Sequence, residues 1–317
     1  LQDIWSNQLI GLLELGVSVG NWAKEQFTLE SHLIGDPTYM YAASREGGDK
    51  LNFAMAHKKD DTGYWKKLLK DKHPEVRALA MKRLAAKGAI SPEQLFSIQR
   101  SDSSPTARLM AYRLIKKSED NLAISSILAG LRDDYELLNR FAAIDASENQ
   151  SPQLLDELIG MWIAPGTSQR VSYQVKGAVE LYEKEAALAA YDKALEGKQG
   201  IWYDERRAER GNFERILISK ESDMKGLLDP ATETRNNRFT ITALRNSQQA
   251  AYLDTLFRFM RESHDQTLRQ LLAEALGWYT QSWRKQEIID FCKSQIEVEK
   301  DDLVKRELQR TLRRLTD

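Results

Sequence analysis

The chain has 317 residues, of which 42% are hydrophobic and 29% are charged, a balance typical of folded rather than disordered proteins. Its net charge of −1 argues against a global attraction to nucleic acid or to an anionic membrane surface. The single cysteine excludes an intrachain disulfide, and the four histidines are too far apart in sequence to form a zinc motif with it.

Residues 1–45 form an irregular N-terminal segment that does not share the pattern of the rest of the chain. Apolar side chains including Ile4, Trp5 and Leu12 indicate a helix near its start. We expect this face to belong with a domain upstream of Leu1. In the isolated chain it should then be poorly ordered or pressed against another molecule.

Two short motifs follow this helix. Gly16 and Gly20 flank a Val-Ser-Val run, and glycines there suit close packing against another backbone. Leu33 and Ile34 then lead into a Gly-Asp-Pro-Thr run at 35–38. This order resembles the C-terminal end of the catalytic domain in gingipain-like cysteine peptidases, caspase-fold enzymes common in secreted proteins of Bacteroidetes. The alternative is a simple turn, since Gly, Asp and Pro are the commonest turn formers.

Residues 46–317 show helical periodicity, and a 31-residue repeat begins near Asp71. Each copy places an aspartate, then a proline, then a basic or amide residue at the same offsets, although the third copy lacks the proline: Asp71, Pro74 and Arg77; Asp102, Pro105 and Arg108; Asp133 and Asn139. Apolar residues recur at i, i+3 and i+4 in two segments per copy, so each copy is predicted to form two helices, with Leu84 and Ile115 buried between successive hairpins. Ser91 and Ser104 precede prolines and are predicted helix N-caps, and Gln94 completes a capping box with Ser91.

The pattern Asp–x–x–Pro–x–Val–Arg–x–x–Ala resembles the second helix of a HEAT repeat, in a shorter form than usual for that family. A similar helix recurs at 268–277, and a degenerate copy covers 304–312. The resemblance implies an all-α fold, with an α-solenoid of stacked HEAT-like helical hairpins (a superhelix) over residues 46–317. Tetratricopeptide repeats are the main alternative, on the strength of residues 188–195.

The repeated charged residues have a structural interpretation. In HEAT proteins an aspartate and an arginine at this spacing form a ladder that ties the turn of one repeat to its neighbour, and the resemblance implies that role for Asp71, Arg77, Asp102 and Arg108. Such pairs fix the stacking angle more than they add stability. The alternative is a functional cluster.

Between about 150 and 245 the helical pattern continues while the repeat is lost, and we expect irregular hairpins. Trp202, Tyr203, Arg206 and Arg207 combine aromatic and arginine side chains, which are enriched at binding hot spots. They form the candidate partner-binding set. The alternative is a solvated helix with internal ion pairs.

The only thiol, Cys292, lies in an apolar stretch with no histidine near it in sequence. A packed core thiol is therefore expected rather than a nucleophile. The four histidines lack i, i+3 or i, i+4 spacing and are expected in turns or on the surface. The sequence thus predicts no catalytic residue, no metal site and no cofactor. If the peptidase resemblance holds, the catalytic histidine and cysteine lie upstream of these residues.

Three functions are compatible with these features. The favoured one is a non-catalytic scaffold, or a C-terminal accessory module of a larger secreted protein, that contacts a protein partner or a neighbouring domain. Its expected location is extracellular or periplasmic. The second is a fragment of a gingipain-like peptidase. The third is a nucleic-acid-binding HEAT-like protein, which the net charge disfavours. A cytoplasmic location is the alternative to an extracellular or periplasmic one. No membrane span is expected, because no apolar run approaches about 20 residues.

Overall fold

The computed structural model describes residues 9–25, 33–41, 45–115, 121–225 and 234–316. All regular secondary structure within these ranges is helical, which confirms the all-α prediction. The chain divides into two compact units, Leu1–Lys116 (unit 1) and Lys117–Asp317 (unit 2). This division does not coincide with the boundary predicted at residue 45.

The helices of unit 1 are α1 (Gly11–Glu14), α2 (Val19–Ala23), α3 (Arg45–His57), α4 (Thr62–Leu68), α5 (Pro74–Ala85), α6 (Pro92–Ser101) and α7 (Pro105–Leu114). Those of unit 2 are α8 (Asn121–Leu131), α9 (Glu136–Asn149), α10 (Pro152–Ile163), α11 (Gln169–Val179), α12 (Lys184–Leu195), α13 (Ile201–Lys225), α14 (Thr234–Ser247), α15 (Leu253–Glu262), α16 (Gln266–Leu276), α17 (Lys285–Val298) and α18 (Asp302–Thr316). A 3-10 turn at Ala250–Tyr252 precedes α15.

Helix starts follow the repeat and its punctuation. Helices α5, α7 and α9 begin at Pro74, Pro105 and Glu136, which are spaced by the predicted 31 residues. Before α6, Ser91 forms the predicted capping box with Gln94. The predicted cap at Ser104 is wrong in one respect, because its hydroxyl makes no capping bond. The backbone N–H of Ser104 instead donates to the carboxylate of Asp102 in the preceding turn, and this bond fixes the backbone just before α7.

Most of the helix pairs that pack together in unit 1 are one or two places apart in sequence. Helix α4 contacts α5, α6 contacts α7, and α5 also contacts α7. Leu84 and Ile115 are buried between them, as predicted. Of the N-terminal apolar face, Ile4 and Trp5 lie outside the described residues. Leu12 is fully buried in the core of this same unit, where α1 contacts α5, so for Leu12 the expectation of an external partner is wrong.

Unit 2 has the same neighbour contacts, for example α8 with α9, α9 with α11, and α16 with α18. It also joins turns that are far apart in the chain. The side chain of Gln150 donates to the carbonyl of Gln248 at 2.8 Å. The backbone N–H of Trp283 donates to the carbonyl of Asn149 at 2.9 Å. A stack whose repeats touch only their neighbours has no contacts across about a hundred residues, so unit 2 is folded back on itself at these turns.

Candidate functional site

The repeated turns of the predicted ladder share one local geometry. An Asp carboxylate accepts the backbone N–H two residues on, at 2.9 Å for Asp71, 2.8 Å for Asp102 and 2.9 Å for Asp133. The side chain six residues on donates to the carbonyl oxygen of the same aspartate. For Arg77, Arg108 and Asn139 these distances are 2.8, 3.1 and 2.8 Å. The repeated residues therefore form the same turn three times. In the third copy Asn139 makes the bond to the aspartate carbonyl that an arginine makes in the first two.

Arg77 also reaches the following turn. Its Nε and Nη2 atoms donate to the two carboxylate oxygens of Asp102 at 2.8 and 2.6 Å. Burial by itself would raise the pKa of Asp102, but the hydrogen bonds from Arg77 and from the backbone N–H of Ser104 outweigh it and lower that pKa. This bidentate pair ties one turn of unit 1 to the next.

A counterpart near the end of the chain was missed in the sequence. Arg269 on α16 donates to Glu299, at the turn before α18, at 3.0 Å. The other carboxylate oxygen of Glu299 accepts the backbone N–H groups of Lys300 and Asp301 at 2.9 Å each. The glutamate occupies the place that Asp102 has in unit 1. A search for aspartate alone passes over it, whereas a search for any carboxylate about 30 residues after an arginine finds it.

The candidate partner-binding set is engaged within unit 2. The indole N–H of Trp202 donates to the carbonyl of Ile163 at 2.7 Å, and the Arg206 guanidinium lies 4.5 Å from the centre of the Trp202 ring. Arg207 donates to the carbonyls of Leu195 and Lys198 beyond the end of α12. These contacts attach the start of α13 to α10 and α12, and they favour the alternative of an internally paired helix.

Tyr203 shares that helix start, and its backbone N–H donates to the carbonyl of Gly200 at 2.9 Å. A buried aromatic cluster further along α13 completes the attachment. Phe213 meets the ring of Trp162 edge-on at 4.9 Å, and Tyr191 lies 5.5 Å away. Burial raises the pKa of Tyr191 to about 12, and its hydroxyl donates to the carbonyl of Arg206 at 2.7 Å.

The only thiol of the chain lies in the hydrophobic core of unit 2. Cys292 is fully buried, and burial raises its pKa to about 12, so a reactive thiolate is disfavoured at neutral pH. Across the described ranges, no three His, Cys, Asp or Glu side chains gather as a metal site would require. Within the same ranges, no helix combines the length and apolar character needed to cross a bilayer.

The Gly-Asp-Pro-Thr run is a turn held against α2. Asp36 accepts from both the backbone N–H and the hydroxyl of Thr38, and these bonds lower its pKa. The N–H groups of Val19 and Gly20 donate to the carbonyls of Tyr39 and Pro37 at 2.9 and 2.8 Å. A Cβ on Gly20 would lie 2.7 Å from the Pro37 oxygen, so the close approach to another backbone expected there is present within unit 1.

Two polar contacts fix this segment to the helices that follow it. The Asn52 side chain on α3 accepts from the backbone N–H of Ser18 and donates to the carbonyl of Gly16, both at 2.9 Å. Glu25 is buried and pairs with both Lys82 and Arg83 on α5. Desolvation lowers the pKa of Lys82 despite the attraction of Glu25. The described N-terminal residues are thus packed and hydrogen-bonded as an integral part of unit 1.

The loop at 33–41 exposes apolar side chains although its backbone is anchored. Ile34 is 95% exposed, and Tyr39 and Tyr41 are 57% and 50% exposed with their rings 5.5 Å apart, edge to face. Leu33 and Met40 are exposed as well. Soluble proteins rarely display a cluster of large apolar residues without a partner.

A second feature, absent from the sequence expectations, is a cavity of about 220 Å³ in unit 2. It lies where the turn at 150–152, the turn at 181–183, the 3-10 turn and the turn at 283–284 meet. The amide of Gln150 organises this junction, because it donates to Gln248 and accepts the backbone N–H of Ala250 at 2.8 Å each. Trp283 lines the cavity and is 39% exposed.

The comparisons add no relative to this picture: neither a protein-family model nor a curated protein sequence matches the chain.

Proposed function

We propose that this chain is a non-catalytic, HEAT-like helical module that binds a protein partner or braces a neighbouring domain. The repeated turns support the HEAT-like assignment. Helix starts and turn bonds recur every 31 residues, and the Arg77–Asp102 pair joins two successive turns. The paired contacts of α5 with α7 and of α9 with α11 are those expected of successive second helices in a stack. The turn contacts of unit 2 are a departure from a regular solenoid.

The observation that carries the binding function is the exposed apolar loop at 33–41. Its backbone is bonded to α2, so little conformational entropy is lost when a partner covers it. Its aromatic and aliphatic side chains are of the kind that form the centre of protein interfaces. A rigid apolar loop of this sort contributes to binding as a preformed contact surface.

Site-specific photocrosslinking in the native host tests this function. A benzophenone side chain replaces Ile34 in the loop, or Tyr173 on α11, which is 76% exposed and serves as the control position. The proposal predicts a discrete adduct from position 34, either to one other protein or to a further domain of the same polypeptide, and none of that mass from position 173. Equal labelling from both positions, or no adduct from either, would contradict it.

A second candidate function is supported by the packing of the same segment. The small-residue stretch, the close contact of Gly20 with Pro37 and the Asp36 turn follow the order seen in the gingipain-like resemblance. On this proposal, residues 1–45 end a caspase-like peptidase domain of a secreted protein, and the helices that follow them brace that domain. The gene sequence preceding the codon for Leu1 tests it. A caspase-like domain with its His and Cys supports the proposal, and a domain of another kind removes it.

A further inference from the structure

The cavity of unit 2 has the size of a site for one side chain. Its volume of about 220 Å³ is below the roughly 300–1,000 Å³ of typical small-molecule pockets. A second recess of about 120 Å³ adjoins it, and the two share Leu181, Tyr182, Glu183 and Ala251. The pair therefore forms a short groove with one larger end, which suits an extended segment that inserts a single residue.

The larger end of the groove is lined by aliphatic side chains and two aromatic residues. Pro152, Leu155 and Leu181 supply aliphatic surface. The hydroxyl of Tyr182 is turned away in a hydrogen bond to the carbonyl of Ser151 at 3.1 Å, and burial raises its pKa. The lining from Tyr182 and Trp283 is therefore largely ring surface. Such surface accommodates either an apolar group or a cation held by the ring electrons.

The positive charge at the rim is already compensated. The Arg284 guanidinium is 13% exposed and lies 2.7 Å from carboxylate oxygens of both Asp254 and Glu287. It also donates to the carbonyl of Ala250 at 3.2 Å. Two carboxylates face one guanidinium, so Arg284 does not repel a further cation.

The remaining charges of the groove are paired except for one carboxylate. Lys220 lies 2.6 Å from Glu180, and Lys184 lies 3.2 Å from Glu185. Glu183, which lines both recesses, is exposed and has no ion-pair partner among the described residues. With the ion-pair partners of its charged residues included, the groove has five carboxylates and three cations: Glu180, Glu183, Glu185, Asp254 and Glu287 against Lys184, Lys220 and Arg284. The surplus of two negative charges lies beside two aromatic rings, and a cation on an apolar stem complements it.

We propose that this groove binds one lysine or arginine side chain from an apolar segment of a partner protein. The inference rests on the proposed protein-binding function and names a second contact for it, separate from the loop at 33–41. The aliphatic stem of the side chain lies on Leu155 and Leu181, the cationic head meets the rings of Tyr182 and Trp283, and Glu183 neutralises the charge.

Calorimetric titration of the full chain with short peptides tests the proposal. The probes are acetyl-Leu-Lys-Leu-amide, its arginine counterpart, and a norleucine counterpart that keeps the stem without the charge. Both basic peptides should bind saturably, and the norleucine peptide about tenfold more weakly. Glu183→Gln and Trp283→Leu should each weaken the basic peptides about five- to tenfold.

Two surface variants serve as matched controls. Trp278→Leu removes another exposed tryptophan of unit 2, and Glu205→Gln removes an exposed carboxylate on α13; both should leave binding unchanged. Equal binding of the norleucine peptide, no saturable binding of any probe, or equal losses in the control variants would overturn the proposal. Crosslinking from position 34 reports the proposed function separately. An intact adduct with a failed titration removes only the groove, and the reverse removes only the loop.

Discussion

Units 1 and 2 contain the same kind of helices but are held together over different distances in the chain. In unit 1 the Arg77–Asp102 pair joins adjacent turns 25 residues apart. In unit 2 the bond from Gln150 to Gln248 spans 98 residues, and that from Asn149 to Gln281 spans 132. A local repeat sequence is sufficient to specify the first kind of contact. The second exists only once the whole unit has folded, and it creates the groove.

The two units also differ in charge. Unit 1 has 17 basic and 13 acidic residues, and unit 2 has 29 basic and 34 acidic residues. Their net charges are therefore +4 and −5, and the near-neutral total is the sum of two opposite values. The negative net charge of unit 2 accords with a site for a basic side chain.

The largest expected effect comes from the core of unit 1. Leu84→Ala removes a fully buried side chain and should lower the free energy of unfolding by roughly 2–5 kcal/mol, through lost burial and the cavity that remains. Urea denaturation measures the change. Leu303→Ala on α18, where the side chain is 45% exposed, is the control and should stay within about 0.5 kcal/mol. Similar losses for both would mean that the repeat core is not packed as described.

The turn junction of unit 2 should be the next most sensitive place. Gln150→Gly removes the amide and leaves the buried N–H of Ala250 without its acceptor, at a cost of about 1–3 kcal/mol. Glycine is chosen because Gln150 has a φ of 57°, so the substitution adds no backbone strain. Gln248→Gly, at a φ of 51°, is the control, and there glycine should be neutral or stabilising by up to about 1 kcal/mol. Thermal and urea melts compare the two. A harmless Gln150→Gly would show that the distant turn contacts add little.

The anchored N-terminal segment should respond to one methyl group. Gly20→Ala places a Cβ 2.7 Å from the carbonyl oxygen of Pro37. Because this oxygen belongs to the backbone, it cannot move away without displacing the chain, and the free energy of unfolding should fall by about 1–3 kcal/mol. Gly177→Ala within α11 meets nothing within 4 Å and should be stabilising by about 0.5–1 kcal/mol. Opposite signs in the two melts support the described packing of α2. A stabilised Gly20→Ala would contradict it.

The ladder pair should have the smallest effect and a defined pH dependence. Arg77→Ala should cost about 1 kcal/mol at neutral pH, because the pair is partly exposed. The pKa of Asp102 is lowered in the folded protein, so the pair contributes fully above the ordinary value of 3.8 and loses its contribution as the pH falls through the lower folded value. Urea melts at neutral and acid pH should therefore show the difference between wild type and variant shrink in acid, leaving the part that comes from the bond of Arg77 to the backbone carbonyl of Asp71. A difference that stays the same or grows in acid would show that the Asp102 carboxylate contributes nothing to it.

The sequence predicted what local patterns control. Helix starts at 31-residue spacing, the capping box at Ser91 and the burial of Leu84 follow from residues close together in the chain. Leu12 was assigned to the wrong partner, because periodicity shows that a face is apolar without showing which surface covers it. The sequence resemblance of residues 35–38 to a peptidase motif predicts a turn under either interpretation, and the turn is what the structure contains.

The sites depended on information that no local pattern carries. Trp202 and Arg206 have the composition of a hot spot, yet their polar groups are engaged within unit 2. Trp283 and Glu183 are a hundred residues apart and become neighbours of one cavity only through the turns that Gln150 joins. Non-glycine residues at positive φ, such as Gln150 and Gln248, have no reliable sequence signature. Their role could be recognised only from the folded chain.

Contacts between distant turns make unit 2 one cooperative body around its groove, whereas the contacts of unit 1 span shorter stretches of the chain. Hydrogen exchange of the wild type and Gln150→Gly, followed by mass spectrometry, tests this difference. We expect faster exchange in the segment around Trp283, whose backbone N–H donates to the carbonyl of Asn149, with no change at 71–77 in unit 1. Faster exchange confined to 147–151 and Ala250, with the segment around Trp283 unchanged, would contradict the claim.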